Sequence, residues 1–325
     1  MNKKSKVFVA GHNGLVGSSI LNCLKKNGYE NVIKKDRIEL DLSNQKDTRM
    51  FFKNEKPDIV ICAAAKVGGI YANQIYPAQF LFENLAIQNN LIHFSHEIGV
   101  KQLLFLGSAC IYPKYADQPI NEASMLSGPL EPTNEPYALA KIAGIKLCEA
   151  YYKQYSDNFI SVMPNNLYGP NDNFHPETSH VIPALIQKFH NAKVTSSKYV
   201  KIWGSGNPLR EFLHVDDLAE AILFIINNII VEEIYNKGIS HINIGSGEEL
   251  SIHELALIIK ETVGFKGGIK FDKSKPDGTP RKFLDTTIMN EKGWSPKIRL
   301  KDGLKKLYHY YQNIDFDNNK SNFHV

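Results

Sequence analysis

The chain has 325 residues and a mass of 36.7 kDa, the size of one large α/β unit or of a domain with a smaller companion. Hydrophobic residues make up 43% of it and charged residues 22%, which excludes long disorder, collagen and coiled coil. The formal net charge of +4 is too small and too dispersed to predict a nucleic-acid partner.

The cysteines and the apolar runs indicate the compartment in which the protein is expected. Its four cysteines are scattered and form no Cys-x-x-Cys pair, so we expect reduced thiols, no disulfide framework and no metal. The longest apolar run, residues 59–65, is far short of the roughly 20 residues that span a bilayer, and the N-terminal segment lacks the apolar stretch of a signal peptide. We therefore expect a cytoplasmic protein without a membrane partner.

Strand-like and helix-like segments alternate in the first half of the chain. Short β-branched apolar runs predict strands, and segments with helical spacing between them predict helices. The strands are expected at 6–10, 31–33, 59–63, 103–106 and 159–162, and the helices at 44–54, 78–98 and 137–155. This order predicts an α/β fold with a doubly wound parallel sheet of the Rossmann type.

After about residue 165 the pattern changes, because Pro, Asn, Gly and His become frequent. Helices are expected at 181–190, 215–228, 251–263 and 302–312, and the third begins with the capping box Ser251 and Glu254. We expect a dinucleotide-binding Rossmann domain over residues 1–165. A smaller region over 166–325 is expected to bind mainly substrate, with some of its segments returning to the main sheet.

The first strand runs directly into a Gly-x-x-Gly-x-x-Gly turn. Glycine allows a tight turn and a close approach of pyrophosphate, and the following helix N-terminus offers free N–H groups to the anion. In this position the pattern predicts a dinucleotide site. Its residues are Gly11, His12, Asn13, Gly14, Leu15, Val16 and Gly17.

The end of the second strand is expected at the adenine ribose. It reads Lys34-Lys35-Asp36-Arg37. An acid alone favours NAD, whereas an arginine beside it suits the 2′-phosphate of NADP, so we expect NADP(H). Asp41 and Leu42 follow, where a contact on the adenine side is expected.

A Tyr-x-x-x-Lys pair, Tyr137 and Lys141, shares one face of a predicted helix. An ammonium beside a phenol favours the phenolate, so we expect Lys141 to lower the pKa of Tyr137 and to make it a proton donor near neutral pH. Ser108 follows the fourth strand in LLFLGS. Ligands of a doubly wound sheet lie at the carboxyl ends of strands, so Ser108 is expected to hydrogen-bond a substrate oxygen.

The glycine turn, the serine and the Tyr–Lys pair resemble the extended short-chain dehydrogenase/reductase superfamily. Longer strings, from about residue 5 to 312, resemble its GDP-L-fucose synthase family, which converts GDP-4-keto-6-deoxy-mannose to GDP-fucose with NADPH. These strings are AGHNGLVGS, AAAKVGGI, GSACIYP, LEPTNEPYALAKIAGIKLCE, NLYGPNDNFHPETSHVIPALI, WGSGNPLREFLHVDDLA and PDGTPRK.

The resemblance implies roles for single residues. Ser108, Tyr137 and Lys141 would serve the reduction at C4, with Lys141 also holding the nicotinamide ribose. Cys110 and His180 would exchange protons at C3 and C5. The remaining residues that the resemblance places at the cofactor are Leu106, Gly107, Pro164, Asn165, Asn166, Leu167 and His180, and those it places at the GDP-sugar are Asn166, Lys188, Trp203, Arg210, Asp277 and Lys282.

One position departs from the family pattern. The phosphate turn of the family often carries an arginine where this chain has Asn13, which leaves Arg37 as the main clamp for the 2′-phosphate and should weaken the preference for NADPH. The resemblance also implies a homodimer, paired through the helices expected at 78–98 and 137–155. Phe80, Leu81, Leu85 and Ile92 form one helical stripe there, although a stripe facing the core would look the same.

Three functions stay open at this point. The first is a bifunctional 3,5-epimerase and 4-reductase. The second is a C4 reductase of a related GDP-4-keto-6-deoxy sugar, such as a heptose, without significant epimerase activity. The third is a non-catalytic nucleotide-binding scaffold, against which the intact Ser–Tyr–Lys trio argues.

Overall fold

The computed structural model describes residues 1–175, 178–275 and 277–314. Twelve strands occur in these ranges: β1 Val7–Ala10, β2 Val32–Ile33, β3 Ile59–Cys62, β4 Gln102–Leu106, β5 Phe159–Pro164, β6 Asn166–Tyr168, β7 Tyr199–Trp203, β8 Leu209–His214, β9 Ile242–Ile244, β10 Glu249–Ser251, β11 Gly268–Asp272 and β12 Arg281–Lys282. The helices are α1 Leu15–Lys26, α2 Gln45–Glu55, α3 Ile70–Ile75, α4 Pro77–Glu97, α5 Glu135–Tyr155, α6 Val181–Val194, α7 Val215–Asn228, α8 Val231–Tyr235, α9 Ile252–Val263, α10 Thr287–Glu291 and α11 Leu300–Asn313.

The main sheet has six strands in the order β2-β1-β3-β4-β5-β9, and every neighbouring pair is parallel. All residues of β1, β3, β4, β5 and β9 are buried, because helices cover both faces of the sheet. One apolar layer lies between the sheet and α1 and α7, and a second lies between the sheet and α2, α4 and α5. This arrangement confirms the predicted doubly wound α/β fold.

A smaller set of elements surrounds β8. This strand pairs with β10 in antiparallel orientation and with β12 and β6 in parallel orientation, and β7 pairs separately with β11. Residues of α6, α9 and α11 form a third apolar core against them. The chain returns to the main sheet at β9, which pairs with β5, and at α7, which packs on the same face as α1.

The predicted long elements lie close to the expected positions, and the capping box of Ser251 and Glu254 is present at the start of α9. The strands β6 to β12 and the short helices α3, α8 and α10 were not predicted, because elements of two to six residues carry too little periodicity to be recognised. Within the described ranges no helix is long and apolar enough to cross a membrane.

Candidate active site

The glycine turn between β1 and α1 has two positions that only glycine can fill. Gly11 has a φ of +81°, and a Cβ on it would lie 2.7 Å from the Cα of Ala64, at the end of β3. A Cβ on Gly17 would lie 2.1 Å from the carbonyl oxygen of Gly11, so the first turn of α1 packs directly on the loop. Gly14 is the N-cap of α1 and leaves open space over the free N–H groups of the helix.

The carboxyl end of β2 lies beside this turn, because β1 and β2 pair in parallel. Burial and the charge of Lys34 lower the pKa of His12, which places His12 against the segment after β2. Arg37 is 72% exposed, and its guanidinium lies 3.4 Å from the carboxylate of Glu83 on α4. The Asp41 carboxylate accepts hydrogen bonds from the backbone and hydroxyl of Ser43, so its side chain shapes the turn before α2.

The Ser–Tyr–Lys trio forms where β4 ends and α5 begins. Lys141 is buried and donates a hydrogen bond of 2.8 Å to the carbonyl oxygen of Leu106, with its ammonium 5.8 Å from the ring centre of Tyr137. Ser108 caps the 3₁₀ turn Ala109–Ile111, and its hydroxyl accepts from the backbone N–H of Cys110. The sequence therefore placed Ser108, Tyr137 and Lys141 correctly at the end of one strand and on one helix face.

The predicted effect of Lys141 on Tyr137 is wrong in this arrangement. Burial raises the pKa of the Tyr137 phenol, the charge of Cys110 adds to the increase, and the Ser108 hydroxyl opposes it. Burial also lowers the pKa of Lys141 to about 8. The sequence could not show that both groups lose their water, and that the Lys141 ammonium is directed to the Leu106 carbonyl.

The Cys110 thiol belongs to the same site. Cys110 is 7% exposed, and burial raises the pKa of its thiol, while the ammonium groups of Lys282 and Lys141 act in the opposite direction. It lines a recess of about 260 Å³ together with Glu131 and Lys282. Three residues earlier, a Cβ on Gly107 would lie 2.0 Å from the end of the Met163 side chain, which would have to move to make room.

His180 immediately precedes α6 and is 48% exposed. Its Nδ1 lies 3.9 Å from a carboxylate oxygen of the buried Asp172. Burial lowers the pKa of His180, but the nearby carboxylate of Asp172 outweighs it, so the net direction is upward. The segment is tied to the start of α3, because the backbone N–H of Gly69, the N-cap of that helix, donates to the carbonyl oxygen of Thr178. Residues 176 and 177 of the string PETSHVIP lie outside the described residues.

Asn165 and Asn166, predicted at the cofactor and the sugar, join the two parts of the chain. The side chain of Asn165 donates to Glu211 and to the carbonyl oxygen of Lys282, and accepts from Asn166. Asn166 donates to the carbonyl oxygen of Glu211. The Asn165 side chain is thus engaged within the protein, and so is its backbone N–H, which donates to the carbonyl oxygen of Ile244. Pro164 ends β5, and Leu167 packs in the core below it.

The residues predicted at the nucleotide come together around β7 and β8. The ammonium of Lys188 lies 5.2 Å from the ring centre of Trp203, whose indole is exposed. Asp277 accepts a hydrogen bond of 2.6 Å from the backbone of Ser205, two residues after Trp203. Burial lowers the pKa of Arg210, and the charge of Asp277 opposes it, so these two side chains face each other.

A buried polar network behind Cys110 was missed by the sequence analysis. The Tyr112 hydroxyl lies 2.7 Å from Nε2 of His241 and donates to Asn243 at 2.5 Å. Asn243 also donates to the carbonyl oxygen of Ile120, and its backbone N–H donates to the carboxylate of Glu122. The network therefore ties both ends of the segment 112–122, which begins two residues after Cys110, to the chain at β9.

The missed residues share one signal, a polar side chain within an apolar run. Glu211 interrupts LREFLH, and His241 and Asn243 interrupt HINI. Burial lowers the pKa of His241 to about 3, so it is neutral at every working pH and serves as a hydrogen-bonding group. The pattern shows that such residues are unusual, but it does not show which distant segment satisfies them.

Taken together, a glycine turn for pyrophosphate and a Ser–Tyr–Lys trio at one edge of a parallel sheet define a dehydrogenase/reductase of the short-chain type. The chain belongs to the NAD dependent epimerase/dehydratase family, whose model matches residues 7–244.

Curated relatives and solved structures narrow this class. The chain is 56% identical to GDP-L-fucose synthase 1 of Arabidopsis thaliana, over 95% of this chain and 94% of that protein. It is 51% identical to GDP-L-fucose synthase of Escherichia coli (strain K12), over 95% and 97%. It is also similar, with 41% identity, a TM-score of 0.89 and coverage of 96% and 99%, to the structure of a GDP-mannoheptose C4 reductase from Campylobacter jejuni with NADP bound.

The residues present fit a dinucleotide. Gly11 and Gly17 close the turn, whereas the open position at Gly14 leaves room for a pyrophosphate over the start of α1. No acidic side chain lies in the first turn of α1, so nothing there repels an anion. Among the described residues, no three His, Cys, Asp or Glu side chains gather as metal ligands would.

We predict that Asn243→Ala lowers the free energy of unfolding by about 1–3 kcal/mol, because buried groups of Ile120 and Tyr112 lose their partner. Urea unfolding followed by circular dichroism measures the change. Asn228→Ala is the matched control, since its exposed amide bonds only within α7, and it should change stability by no more than about 0.5 kcal/mol. Equal effects of the two substitutions would contradict a tie to β9.

Proposed function

We propose that this protein reduces the C4 ketone of a GDP-4-keto-6-deoxy sugar with NADPH and also epimerises C3 and C5, as a GDP-L-fucose synthase does. The observation that carries the proposal is that Cys110 shares one site with Ser108, Tyr137 and Lys141. Two relatives at 51% and 56% identity bear the GDP-L-fucose synthase name, which supports it. The C4 reductase relative at 41% favours the second candidate, reduction of a heptose without epimerisation.

The protein groups suit the reduction step. NADPH, when bound, supplies the hydride that reduces C4. The Tyr137 phenol, whose pKa is raised by burial, keeps its proton until the C4 oxygen becomes an alkoxide, and then donates it. The Ser108 hydroxyl holds the same oxygen, and the Lys141 ammonium contributes positive charge from the Leu106 side.

Epimerisation requires removal and return of a proton beside the ketone. The anion left on carbon is stabilised because it delocalises onto the C4 oxygen, where Ser108 and Tyr137 lie. Cys110, as thiolate, removes the proton, and His180 returns one from the other side. His180 suits a donor because the carboxylate of Asp172 favours its protonated form.

The two halves of the chain divide the ligands. We assign NADP(H) to residues 1–165, with the pyrophosphate at Gly14, the 2′-phosphate at Arg37 and the nicotinamide beside Gly107 and Lys141. The GDP-sugar is assigned mainly to residues 166–325, with Lys188, Trp203 and Arg210 at the nucleotide, although residues 315–325 lie outside the described part. Strand β9 of the second half pairs with β5 of the first half, and this pairing holds the two halves together.

Two substitutions should separate the two activities. Cys110→Ser should abolish deuterium incorporation from D₂O into the substrate in the absence of NADPH, because a serine hydroxyl is far too weak an acid to act as the base. It should still reduce a substrate that is already epimerised. Tyr137→Phe should keep the exchange and lose at least about 100-fold in reduction, since it removes the placed proton donor. Mass spectrometry and NADPH absorbance follow the two reactions.

The outcomes assign the function. If the wild-type chain exchanges deuterium and Cys110→Ser abolishes this exchange, the bifunctional enzyme is supported. Reduction without exchange in the wild-type chain would identify the C4 reductase instead. A wild-type chain that neither exchanges nor oxidises NADPH with any GDP-4-keto-6-deoxy sugar would refute both.

Arg37→Ala should weaken NADPH about 10- to 100-fold while changing NADH little, because a charge-assisted contact to the 2′-phosphate contributes roughly 1.5–3 kcal/mol. Fluorescence titration of both cofactors measures this difference. Arg49→Ala is the control, since Arg49 on α2 is also an exposed arginine that pairs with a glutamate, Glu97 of α4. Equal losses of NADPH and NADH in Arg37→Ala would show that Arg37 is structural, through Glu83.

We also propose a cytoplasmic homodimer, formed by the outer faces of α4 and α5. Of the stripe named in the sequence, Phe80 and Ile92 are buried in the core, so they are unavailable for a partner. The exposed apolar side chains are instead Phe82 on α4 and Leu139 on α5. Four free buried thiols, one of them the proposed base, suit a reducing compartment.

Light scattering at low micromolar concentration should therefore give twice the chain mass of 36.7 kDa. Phe82→Glu should reduce the measured mass to that of one chain, because it places a charge in an apolar interface. Val194→Glu, at an equally exposed position at the end of α6, should leave the dimer intact. A wild-type mass of one chain would contradict the proposed dimer.

A further inference from the structure

Proton abstraction by Cys110 poses an electrostatic problem. The thiolate is the reactive form, yet Cys110 is buried, and burial raises the pKa of its thiol. The titratable and charged groups that face it are Tyr137 and Lys141 from α5 and Lys282 from β12. A nearby cation must offset the lost hydration if Cys110 is to act as a base near neutral pH.

Lys141 is poorly placed for that task. Its ammonium is committed to the carbonyl oxygen of Leu106, to which it donates a hydrogen bond of 2.8 Å. The reduction step also uses it, on the Tyr137 side of the site. The charge that stabilises the thiolate therefore has to come from another element.

Lys282 meets the requirement. Strand β12 holds it beside Arg210 of β8, and its backbone carbonyl is tied to Asn165. Its side chain lines the recess in which Cys110 lies. Of the other cations near this recess, Lys114 pairs with Glu131 at 3.0 Å, Arg281 pairs with Glu249, and Arg210 donates to the carbonyl oxygen of Leu209. The Lys282 ammonium has no hydrogen bond or ion pair within the described residues.

We propose, on the basis of the epimerase function assigned above, that Lys282 is a positioning residue whose ammonium holds Cys110 as a thiolate. The sulfur takes the proton from the substrate carbon, and the electron pair of the broken C–H bond passes to the enolate. The ammonium keeps its own proton throughout, so the only proton that moves passes from the substrate carbon to the thiolate sulfur. Burial and the charge of Arg210 lower the pKa of Lys282, whereas the charges of Cys110 and Glu131 favour its protonated state.

The test is the pH dependence of alkylation of Cys110 by iodoacetamide, measured on the intact enzyme by peptide mass spectrometry. In Lys282→Met the midpoint of the rate should rise by about one pH unit or more, because removing a cation disfavours the thiolate. Alkylation at pH values below both midpoints should then be about tenfold slower. Lys282→Arg should restore the wild-type midpoint, since it keeps the charge.

Matched controls exclude a purely structural effect. Lys114→Met removes a neighbouring lysine that is paired with Glu131, and its midpoint should stay close to that of wild type. Cys110→Ser should give no labelled peptide at this position. The ultraviolet absorbance of the thiolate, taken as wild type minus Cys110→Ser, gives the same midpoint without a reagent. If Lys282→Met fails to fold, Lys282→Gln serves in its place.

The proposal and the assigned function can fail separately. An unchanged midpoint in both neutral variants would overturn the role of Lys282, whatever the substrate. If the wild-type chain exchanges deuterium, Lys282→Met should slow this exchange about tenfold at neutral pH, and the exchange rate should return as the pH rises and the thiol ionises. If the substitution merely misplaced the sugar, raising the pH would not restore the rate. If the wild-type chain shows no exchange, the epimerase assignment fails, and with it the catalytic meaning of a Lys282-dependent midpoint.

Discussion

Parallel strand pairing is the constraint on which the rest of the molecule depends. It brings the carboxyl ends of β1, β4 and β5 to one edge of the sheet, so the glycine turn, Ser108 and Pro164 lie along a single line. Helices on both faces then remove water from that edge. The same packing that stabilises the sheet thereby creates a site in which charges interact strongly.

Loss of water sets the chemistry of the site. Burial opposes the charged form of Lys141, Cys110 and Lys282 alike, and it keeps the proton on Tyr137. A proton donor benefits from this environment, whereas a thiolate base is penalised by it. A cation beside Cys110 resolves the conflict, and β12 carries one from a part of the chain more than a hundred residues away.

Two buried polar networks connect distant segments of the molecule to the site. Glu211 links β5, β8 and the segment after β12 through Asn165, Gly247 and Leu284. Asn243 links β9 to Tyr112, Ile120 and Glu122, in the segment that follows Cys110. Because a buried polar group without a partner costs free energy, these networks fix one arrangement of the two halves. The core supplies most of the stability, and the networks determine where the catalytic side chains lie.

The sequence alone determined the fold class, the alternating long elements of the first half and the local motifs. Strand periodicity, the glycine turn and the i, i+4 pair of Tyr137 and Lys141 are local, so residue spacing was enough to predict them. Tertiary structure decided the protonation preferences of these residues, the engagement of the Asn165 side chain and the burial of Phe80 and Ile92 in the core. It also decided the surroundings of Cys110, since Lys282 and His241, which bonds to Tyr112, come from distant parts of the chain. Burial and long-range pairing arise only when separate segments pack together, so no spacing in the sequence encodes them.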